Sequence, residues 1–450
     1  MHRRIVGILG GLKRDPARLL DRPAITEVCR RAGHSWRATL FDPVATIHVF
    51  LIQVLHGNTA INHLPRLTRR RFTDSAYCQA RARLPLKVFR DLLRRVADSL
   101  HAATKQTGRW LGHRVLVVDG SAFSMPDTPE LQRHFGQAEG QVPGCGFPIA
   151  HLLALFDVGT GMLRDVIAGP LYTHDMADAA RLHPRLEAGD VLLGDRGFCS
   201  FAHLALLVER GVHGVFRMHQ RQVVDFEPHR PHNRPGQKGA PAGRPSSRWP
   251  RGLGVTDQVV AWLKPKARPD WMTAEQYAGL PEELEVRELR YRVDRPGYRV
   301  GAVTLATTLL DAGRYPVEAL ATLYRSRWRV ELNLRHLKTT MRMDVLRCET
   351  MAGVSKELLM FAVAYNLVRL VMLEAASGQG VEVERISFVD ALRWISEARP
   401  GDHLPKLVIN RDRPDRFEPR VRKRRPKSYP LMTKPRSVLR KALAEQKVAS

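Results

Sequence analysis

Two short runs of apolar residues, each followed at once by an aspartate, constrain the fold of this chain more than any other feature. Residues 114–118 read Arg-Val-Leu-Val-Val and lead into Asp119, and residues 191–194 read Val-Leu-Leu-Gly and lead into Asp195. Runs of this length predict strands that are buried on both faces. An acid where a buried strand emerges is costly unless a ligand or hydrogen-bond partner compensates its charge. Asp119 and Asp195 are therefore candidate site residues.

The elements around these runs predict an α/β core. Strands are expected over residues 149–157 and 162–168, joined by a Gly159-Thr160-Gly161 turn, and over 214–218. Helices are expected over residues 175–186 and 201–210. The predicted order is three strands that can pair antiparallel, then helix, strand, helix and strand.

The rest of the chain divides by composition. Residues 1–105 have the pattern of several helices with basic loops, which is typical of a helical DNA-binding domain, although exposed arginines alone would explain it. Residues 219–312 predict an all-β insertion that starts with a basic Pro/Gly-rich loop at 226–252. The predicted divisions are 1–105, the core at 106–218, the insertion at 219–312, the second part of the core at 313–400, and a basic tail at 401–450, with disorder of the tail left open.

The charge balance indicates a nucleic-acid partner. Lys and Arg total 72 against 45 acidic residues, a formal net charge of +27, and the excess is spread along the chain. A membrane surface is the alternative, but it calls for a basic amphipathic helix or a lipid signal, and the sequence shows neither. The apolar stretches at 44–55 and 358–373 predict core helices. The five dispersed cysteines favour reduced thiols and a cytoplasmic protein.

The segment from Tyr324 to Lys338 predicts a helix with one packed face and one polar face. At about 100° per residue, Tyr324, Arg327, Glu331, Arg335 and Lys338 share an arc beside an apolar one. A solvated helix with favourable i,i+4 charge pairs is the simpler interpretation. A single carboxylate among several cations favours a functional surface instead, because solvated helices usually mix positively and negatively charged residues.

Together, Asp119, Asp195 and Glu331 supply oxygen donors without His or Cys partners, a set that favours Mg²⁺ or Mn²⁺. Two such ions about 4 Å apart would clamp the attacking and leaving oxygens of a phosphoryl displacement. Nearby Arg and Lys side chains would hold phosphates. Four other acids lie in or near the predicted strands and are weaker candidates because they fall in a loop, at a turn or at the far edge of a strand: Asp127, Asp157, Asp165 and Asp190.

The spacing Tyr324-x2-Arg327-x3-Glu331-x6-Lys338 resembles the Y-R-E-K signature of the DDE transposases of insertion sequences, in the IS-four family. The resemblance covers roughly residues 40–375. It is supported by Asp119-Gly120, by the Gly194–Phe198 segment and by three further stretches: Asp74-Ser75-Ala76-Tyr77, Arg83-Leu84-Pro85 and Tyr365-Asn366-Leu367.

The resemblance implies an RNase-H-like catalytic core interrupted by a β insertion and preceded by a helical DNA-binding domain. It implies metal-dependent hydrolysis that frees a transposon 3′ end, followed by attack of the 3′-OH on target DNA. By position, Asp119, Asp195 and Glu331 would bind the metal ions. Double-stranded DNA would be the partner, with terminal inverted repeats and a target site, and two copies of the chain would synapse the ends in a bacterial cytoplasm.

The remaining signature residues would contact DNA. The resemblance implies that Tyr324, Arg327 and Lys338 grip the backbone near the cleaved end, and Arg335 is expected beside them. Trp328 is predicted to stack on a displaced base, with hydrophobic packing as the alternative. Two rival functions remain open: a non-catalytic repressor that occupies transposon ends, and an RNase-H-like nuclease that cuts without joining.

Overall fold

The computed structural model describes residues 16–104, 108–173, 175–219, 224–229, 245–293, 301–411 and 432–449, with isolated positions 6, 7, 9, 10, 12 and 222. The α-helices within these residues are α1 Arg22–Arg31, α2 Pro43–Leu55, α3 Leu64–Thr68, α4 Asp74–Arg83, α5 Leu86–Ala103, α6 Pro129–Phe135, α7 Asp175–Leu182, α8 Phe201–Glu209, α9 Ala274–Ala278, α10 Val317–Ser326, α11 Arg329–Arg335, α12 Met351–Gln379, α13 Phe388–Glu397 and α14 Arg436–Ala449. The chain is therefore a mixed α/β protein.

The strands of the described residues form one sheet in the order β3-β2-β1-β4-β5-β9-β8-β7-β6. Their bounds are β1 Val115–Ser124, β2 Ile149–Asp157, β3 Leu163–Pro170, β4 Val191–Gly194, β5 His213–Arg217, β6 Ser247–Gly254, β7 Asp257–Leu263, β8 Glu283–Arg292 and β9 Ala302–Thr307. β1, β2 and β3 pair antiparallel, and β4 and β5 extend the sheet parallel to β1. The predicted order of strands and helices is found from β2 to β5, but the prediction has no helix between the first two strands, where α6 lies.

The insertion continues this sheet because β9 pairs antiparallel with β5. It also contains the short helix α9, which begins with a capping box at Thr273, so the prediction that the insertion is all-β is wrong. The fully buried Arg287 anchors it, donating from Nε and Nη2 to the Asp257 carboxylate at 2.8 and 2.6 Å and from Nη1 to the Tyr315 carbonyl at 2.7 Å. The loop predicted over 226–252 extends too far, because β6 begins at Ser247. β6 is an exposed edge strand that pairs, among the described strands, only with β7. Its sequence therefore lacks the alternation of apolar and polar residues that would predict a strand. Residues 230–244 of that loop lie outside the described residues.

The N-terminal helices begin at strong caps. Asp21 and Asp42 accept backbone N–H bonds in the first turns of α1 and α2, each of which carries a proline at its start, as helix-start rules predict. These helices share one hydrophobic core with α12 and one face of the sheet. A second core lies between the other face and α7 and α8.

Helix α12 is long and apolar enough to cross a membrane, but 94% of its most apolar window is buried within the protein. The prediction of a core helix over 358–373 is confirmed. The tail contains helix α14, which composition did not predict. Arg436, at its start, donates to Asp127 Oδ2 at 3.1 Å. The basic run at 420–427 lies outside the described residues.

Candidate catalytic and metal site

The register of two parallel strands brings Asp119 and Asp195 together. Residues 115–117 of β1 pair with residues 191–193 of β4, so Asp119 and Asp195 each lie two residues beyond the last paired position, and the Asp195 carboxylate acts on that of Asp119. Neighbouring strands lie about 4.8 Å apart. Asp195 directly follows β4, as predicted. The prediction that β1 ends at Asp119 is wrong, because residues 120–124 continue the strand by pairing with β2.

Both aspartates belong to the same face of the sheet. Successive side chains of a strand point to opposite faces. Val117 and Leu193, two residues before each acid, lie in the core that contains α12, whereas Val118 lies in the core under α7 and α8. The carboxylates of Asp119 and Asp195 are therefore on the side of the sheet where the signature segment packs.

Asp119 is half-buried and sits among charges of both signs. Its Oδ2 accepts from Arg327 Nη1 at 3.2 Å, and its Oδ1 accepts from the Gly120 N–H at 2.9 Å. Burial raises the pKa of Asp119 to about 6; the Arg327 guanidinium and the Gly120 N–H oppose this rise, and the Asp195 and Glu331 carboxylates add to it. The three predicted acids are thus close enough to act on one another electrostatically.

Asp195 caps the turn that follows β4. Its Oδ1 accepts from the Gly197 N–H at 2.8 Å, and its backbone carbonyl accepts from the Phe198 N–H at 3.2 Å. These bonds define a 3₁₀ turn over Arg196–Phe198. The carboxylate orientation of Asp195 is therefore tied to the backbone of this turn.

The signature segment is not the single helix that the sequence predicts. Helix α10 ends at Ser326, the chain turns at Arg327 and Trp328, and α11 is followed by a π turn over His336–Thr340. Around the first break the backbone bonds run from residue i to i−3, as in Trp328 N–H to Arg325 at 3.2 Å and Glu331 N–H to Trp328 at 3.2 Å. Side-chain periodicity does not distinguish these tighter and wider turns from an α-helix, so it could not predict the breaks.

Arg327 links two of the three acids. Its side chain is buried, with Nη1 3.2 Å from Asp119 Oδ2 and Nη2 3.9 Å from Glu331 Oε1. Its Nε is buried and has no hydrogen-bond partner within the described residues. The guanidinium therefore retains an unused donor at the point where the strand-borne and helix-borne acids meet.

Two other signature residues also pack close to the sheet. Lys338, in the π turn, donates from Nζ to Ser121 Oγ at 2.8 Å, and burial lowers its pKa. Tyr324 is buried, and burial raises the pKa of its hydroxyl, with Asp195 among the charges that act on it. Tyr324 thus lies beneath the site, and DNA contact by its side chain stays a prediction.

The remaining predicted contacts are on the surface. Trp328 is 45% exposed and its ring lies 4.9 Å from Arg327 Cζ. Arg335 is exposed in the last turn of α11. The structure brings Asp119, Asp195, Glu331, Arg327 and Lys338 together and leaves Trp328 and Arg335 at the rim.

The donor set fits a hard divalent cation, although the side chains do not surround a common point. Among the described residues, no group of three or more His, Cys, Asp or Glu side chains is close enough to hold one metal ion. Arg327 accounts for part of this separation because its guanidinium lies between Asp119 and Glu331. The raised pKa of Asp119 reflects burial and carboxylate repulsion, and both are relieved by a bound cation.

Sequence reasoning missed a contact between a histidine and an aspartate on the opposite face of the same strands. His151 Nε2 lies 2.7 Å from Asp175 Oδ1, and both groups approach Gly120, where an added Cβ would be 3.1 Å from His151 Nε2. Asp175 also lies 3.8 Å from a Cβ built at Gly197. The glycines that follow each acid are the signal for this close approach.

The weaker acid candidates have structural partners. Asp190 pairs with the buried Arg114. Asp157 caps its own hairpin turn by accepting from the Thr160 N–H at 2.8 Å, as predicted. Asp127 pairs with Arg436. None of these three carboxylates is needed at the site.

A family model and a relative similar in sequence both point to one family. The family model described as "Transposase DDE domain" matches residues 110–367. The chain is 27% identical over 383 residues to the transposase InsG for insertion sequence element IS4 of Escherichia coli (strain K12), covering 80% of this chain and 78% of that protein. A cryo-EM structure of a piggyBac transposase synaptic complex with hairpin DNA aligns with 82% of this chain and 74% of its own, at 11% identity and a TM-score of 0.40.

Proposed function

This chain belongs to the DDE transposases, DNA-cleaving and joining enzymes that depend on divalent metal, and from that premise we propose that Asp119, Asp195 and Glu331 are its metal-binding residues. We propose that it binds the terminal inverted repeats of an insertion sequence as double-stranded DNA, frees the 3′ ends and joins them to target DNA. Two copies would act together, one at each end, at the nucleoid of a bacterial cell.

The observation that carries this proposal is that Asp195 and Glu331, from distant parts of the chain, both come near enough to Asp119 to act on its carboxylate. Parallel pairing of β1 with β4 brings Asp119 near Asp195, and Arg327 connects Asp119 to Glu331. The three antiparallel strands followed by two parallel strands support an RNase-H-like core, and β6 to β9 form the insertion between the second acid and the third.

The fit to metal rests on the donors themselves. Three carboxylates without His or Cys suit Mg²⁺ or Mn²⁺, and we propose two ions. Bound there, the ions supply an activated oxygen nucleophile and neutralise charge that develops on the phosphate. Asp119 and Asp195 fix the position from the rigid sheet, and Glu331 completes it from α11.

We propose that the neighbouring cations hold DNA. The Arg327 guanidinium lies beside Asp119 and Glu331, where it would balance the charge of a bound phosphate. Lys338 holds its ammonium 2.8 Å from Ser121 Oγ, beside the acids. Arg335 and Trp328 are exposed at the rim and would contact the backbone and a displaced base, while Tyr324 supports the site from beneath.

The test uses purified protein, Mg²⁺ and DNA that carries the candidate terminal repeats. The wild type should cleave and join. Asp119→Asn, Asp195→Asn and Glu331→Gln should bind DNA but lose cleavage on the order of 10³-fold, because each removes several kcal/mol of charge stabilisation through the metal. Glu285→Gln, a matched change at an exposed position of β8, should cleave normally.

Three outcomes would contradict the proposal. Retained cleavage in Glu331→Gln would remove this residue from the metal site. Binding without cleavage in the wild type would favour the repressor. Cleavage without joined products would favour the nuclease.

A further inference from the structure

Two buried histidines form a contact chain that ends at the turn after Asp195. His203 lies in the first turn of α8 and His183 follows α7, and both are buried. Their rings are parallel within 4°, and their Nε2 atoms are 3.0 Å apart. The other ring nitrogen of His203, Nδ1, lies 2.8 Å from the carbonyl oxygen of Phe198.

The partners determine where the protons are. A carbonyl oxygen only accepts, so His203 Nδ1 carries a proton and donates to Phe198. Burial lowers the pKa of both histidines, so His203 is neutral and its Nε2 is an acceptor. His183 Nε2 must then donate to it. Each ring therefore has one defined tautomer. Two hydrogen bonds in series connect His183, after α7, to His203 and then to the Phe198 carbonyl in the turn.

The turn connects this relay to the acid. Phe198 uses both of its backbone groups: its N–H donates to the Asp195 carbonyl at 3.2 Å, and its carbonyl accepts from His203. Within the same turn the Gly197 N–H donates to Asp195 Oδ1 at 2.8 Å. A displacement of the Phe198 carbonyl would move the amide that orients the carboxylate.

We propose that His203, held by His183, is a positioning residue that fixes the Asp195 carboxylate through the Arg196–Phe198 turn. The inference rests on the proposed function, because it assigns Asp195 to the metal site. Groups that hydrogen-bond directly to a metal ligand change metal affinity or activity by about 10- to 100-fold when they are removed; His203 contacts the turn and not the ligand, so we expect an effect at the lower end of this range. Removing the His203 side chain would leave the chemical identity of the Asp195 carboxylate unchanged and would alter only its orientation.

Two conservative substitutions separate positioning from packing. The side-chain amide of Asn reaches the place of Nδ1, so His203→Asn keeps a donor for the Phe198 carbonyl. The amide of Gln reaches the place of Nε2, so His203→Gln keeps the contact with His183 and loses the donor to Phe198. Both lose the aromatic ring, so both should lower the melting temperature by similar amounts.

The readouts are Mn²⁺ binding to the DNA-free protein, amide hydrogen exchange at residues 196–199, and the metal concentration needed for cleavage. We expect His203→Gln to bind Mn²⁺ about tenfold more weakly, to exchange these amides faster, and to need correspondingly more Mg²⁺. His203→Asn should stay within about threefold of the wild type on all three.

Equal behaviour of the two variants, or a change in melting temperature alone, would overturn the positioning role. Asp195→Asn, tested alongside, distinguishes this failure from failure of the proposed function. If Asp195→Asn cleaves normally, Asp195 is not a metal ligand and the proposed function fails. If Asp195→Asn is inactive while His203→Gln has a normal metal requirement, only the role of the histidine pair is wrong.

Discussion

The two regions that supply the site are built by different rules. Asp119 and Asp195 are placed by the register of β1 and β4, where backbone bonds between strands fix both chains. Glu331 and Arg327 are placed by a segment that breaks twice, at residues 327–328 and over the π turn. The sheet therefore offers a rigid pair of oxygen donors, and the signature segment brings a donor whose position depends on irregular turns.

Exposure follows the same division. The side chain of Asp119 is 19% exposed and that of Glu331 is 55% exposed. A buried carboxylate held by strand register has little room to adjust, whereas an exposed one on a short helix can move its side chain. If both residues bind the metal, as we propose, Asp119 sets the position of the site and Glu331 completes it.

Changing the side-chain length by one methylene in each region tests this comparison most strongly. Asp119→Glu should reduce cleavage on the order of 10²-fold or more, because a misplacement of about 1 Å at a rigid donor is not corrected. Glu331→Asp should lose less, on the order of tenfold, because the α11 carboxylate can adjust its rotamer. Initial cleavage rates at saturating DNA and Mg²⁺ measure both.

Equal losses from the two changes would break the comparison, since they would show that both donors are held with the same tolerance. DNA binding serves as the folding control for each variant. Because Asp119→Glu should change only the geometry of the site, its binding of uncleaved DNA should match that of the wild type.

We expect the next largest loss of cleavage from a change at Arg327, whose side chain contacts both Asp119 on the sheet and Glu331 on α11. Arg327→Lys keeps the positive charge but replaces a planar fork, which reaches Asp119 and Glu331 from two nitrogens, with a single ammonium. We expect cleavage to fall about ten- to 100-fold. Arg325→Lys is the matched control, because Arg325 is exposed and contacts Thr322 within its own helix; its cleavage should be unchanged.

A normal cleavage rate for Arg327→Lys would show that charge alone suffices between the two regions. A loss in Arg325→Lys as large as that in Arg327→Lys would show that any change in α10 disturbs the site. Either result would contradict the prediction that the two-nitrogen fork of Arg327 is needed between Asp119 and Glu331.

The two regions also differ in how far sequence could predict them. Asp119 and Asp195 were found because runs of buried residues predict strands, and a buried acid calls for a partner. The proximity of Asp119 to Asp195 follows once β1 and β4 are known to be parallel neighbours. The end of β1 was misplaced because Gly120 and Ser121 look like a turn, although pairing with β2 carries the strand to Ser124.

For the signature segment, the sequence predicts which residues lie near one another but does not predict the breaks in the helix that carries them. A 3.6-residue period placed Glu331 and Arg327 on one arc, and they do lie near each other. The breaks come from backbone bonds to i−3 and i−5, which depend on packing against β1 and leave no period in the sequence. The His183–His203 contact could not be predicted either, because it joins residues from separate segments that come together only in the folded protein.

The smallest expected effect concerns Trp328, which lies at the break between α10 and α11 and is 45% exposed. Trp328→Leu should change the free energy of unfolding by no more than about 0.5 kcal/mol, because little buried surface is lost. It should weaken binding to DNA with an unpaired base near the transposon end by about 1 kcal/mol or somewhat more, since base–aromatic stacking is worth about 1–3 kcal/mol. Fully paired DNA should bind equally to both proteins. Trp328→Phe, which keeps a ring, should recover most of the loss. A fall in stability with no difference between the two DNAs would instead assign Trp328 to packing of the signature segment, and the break would then serve the fold and not the substrate.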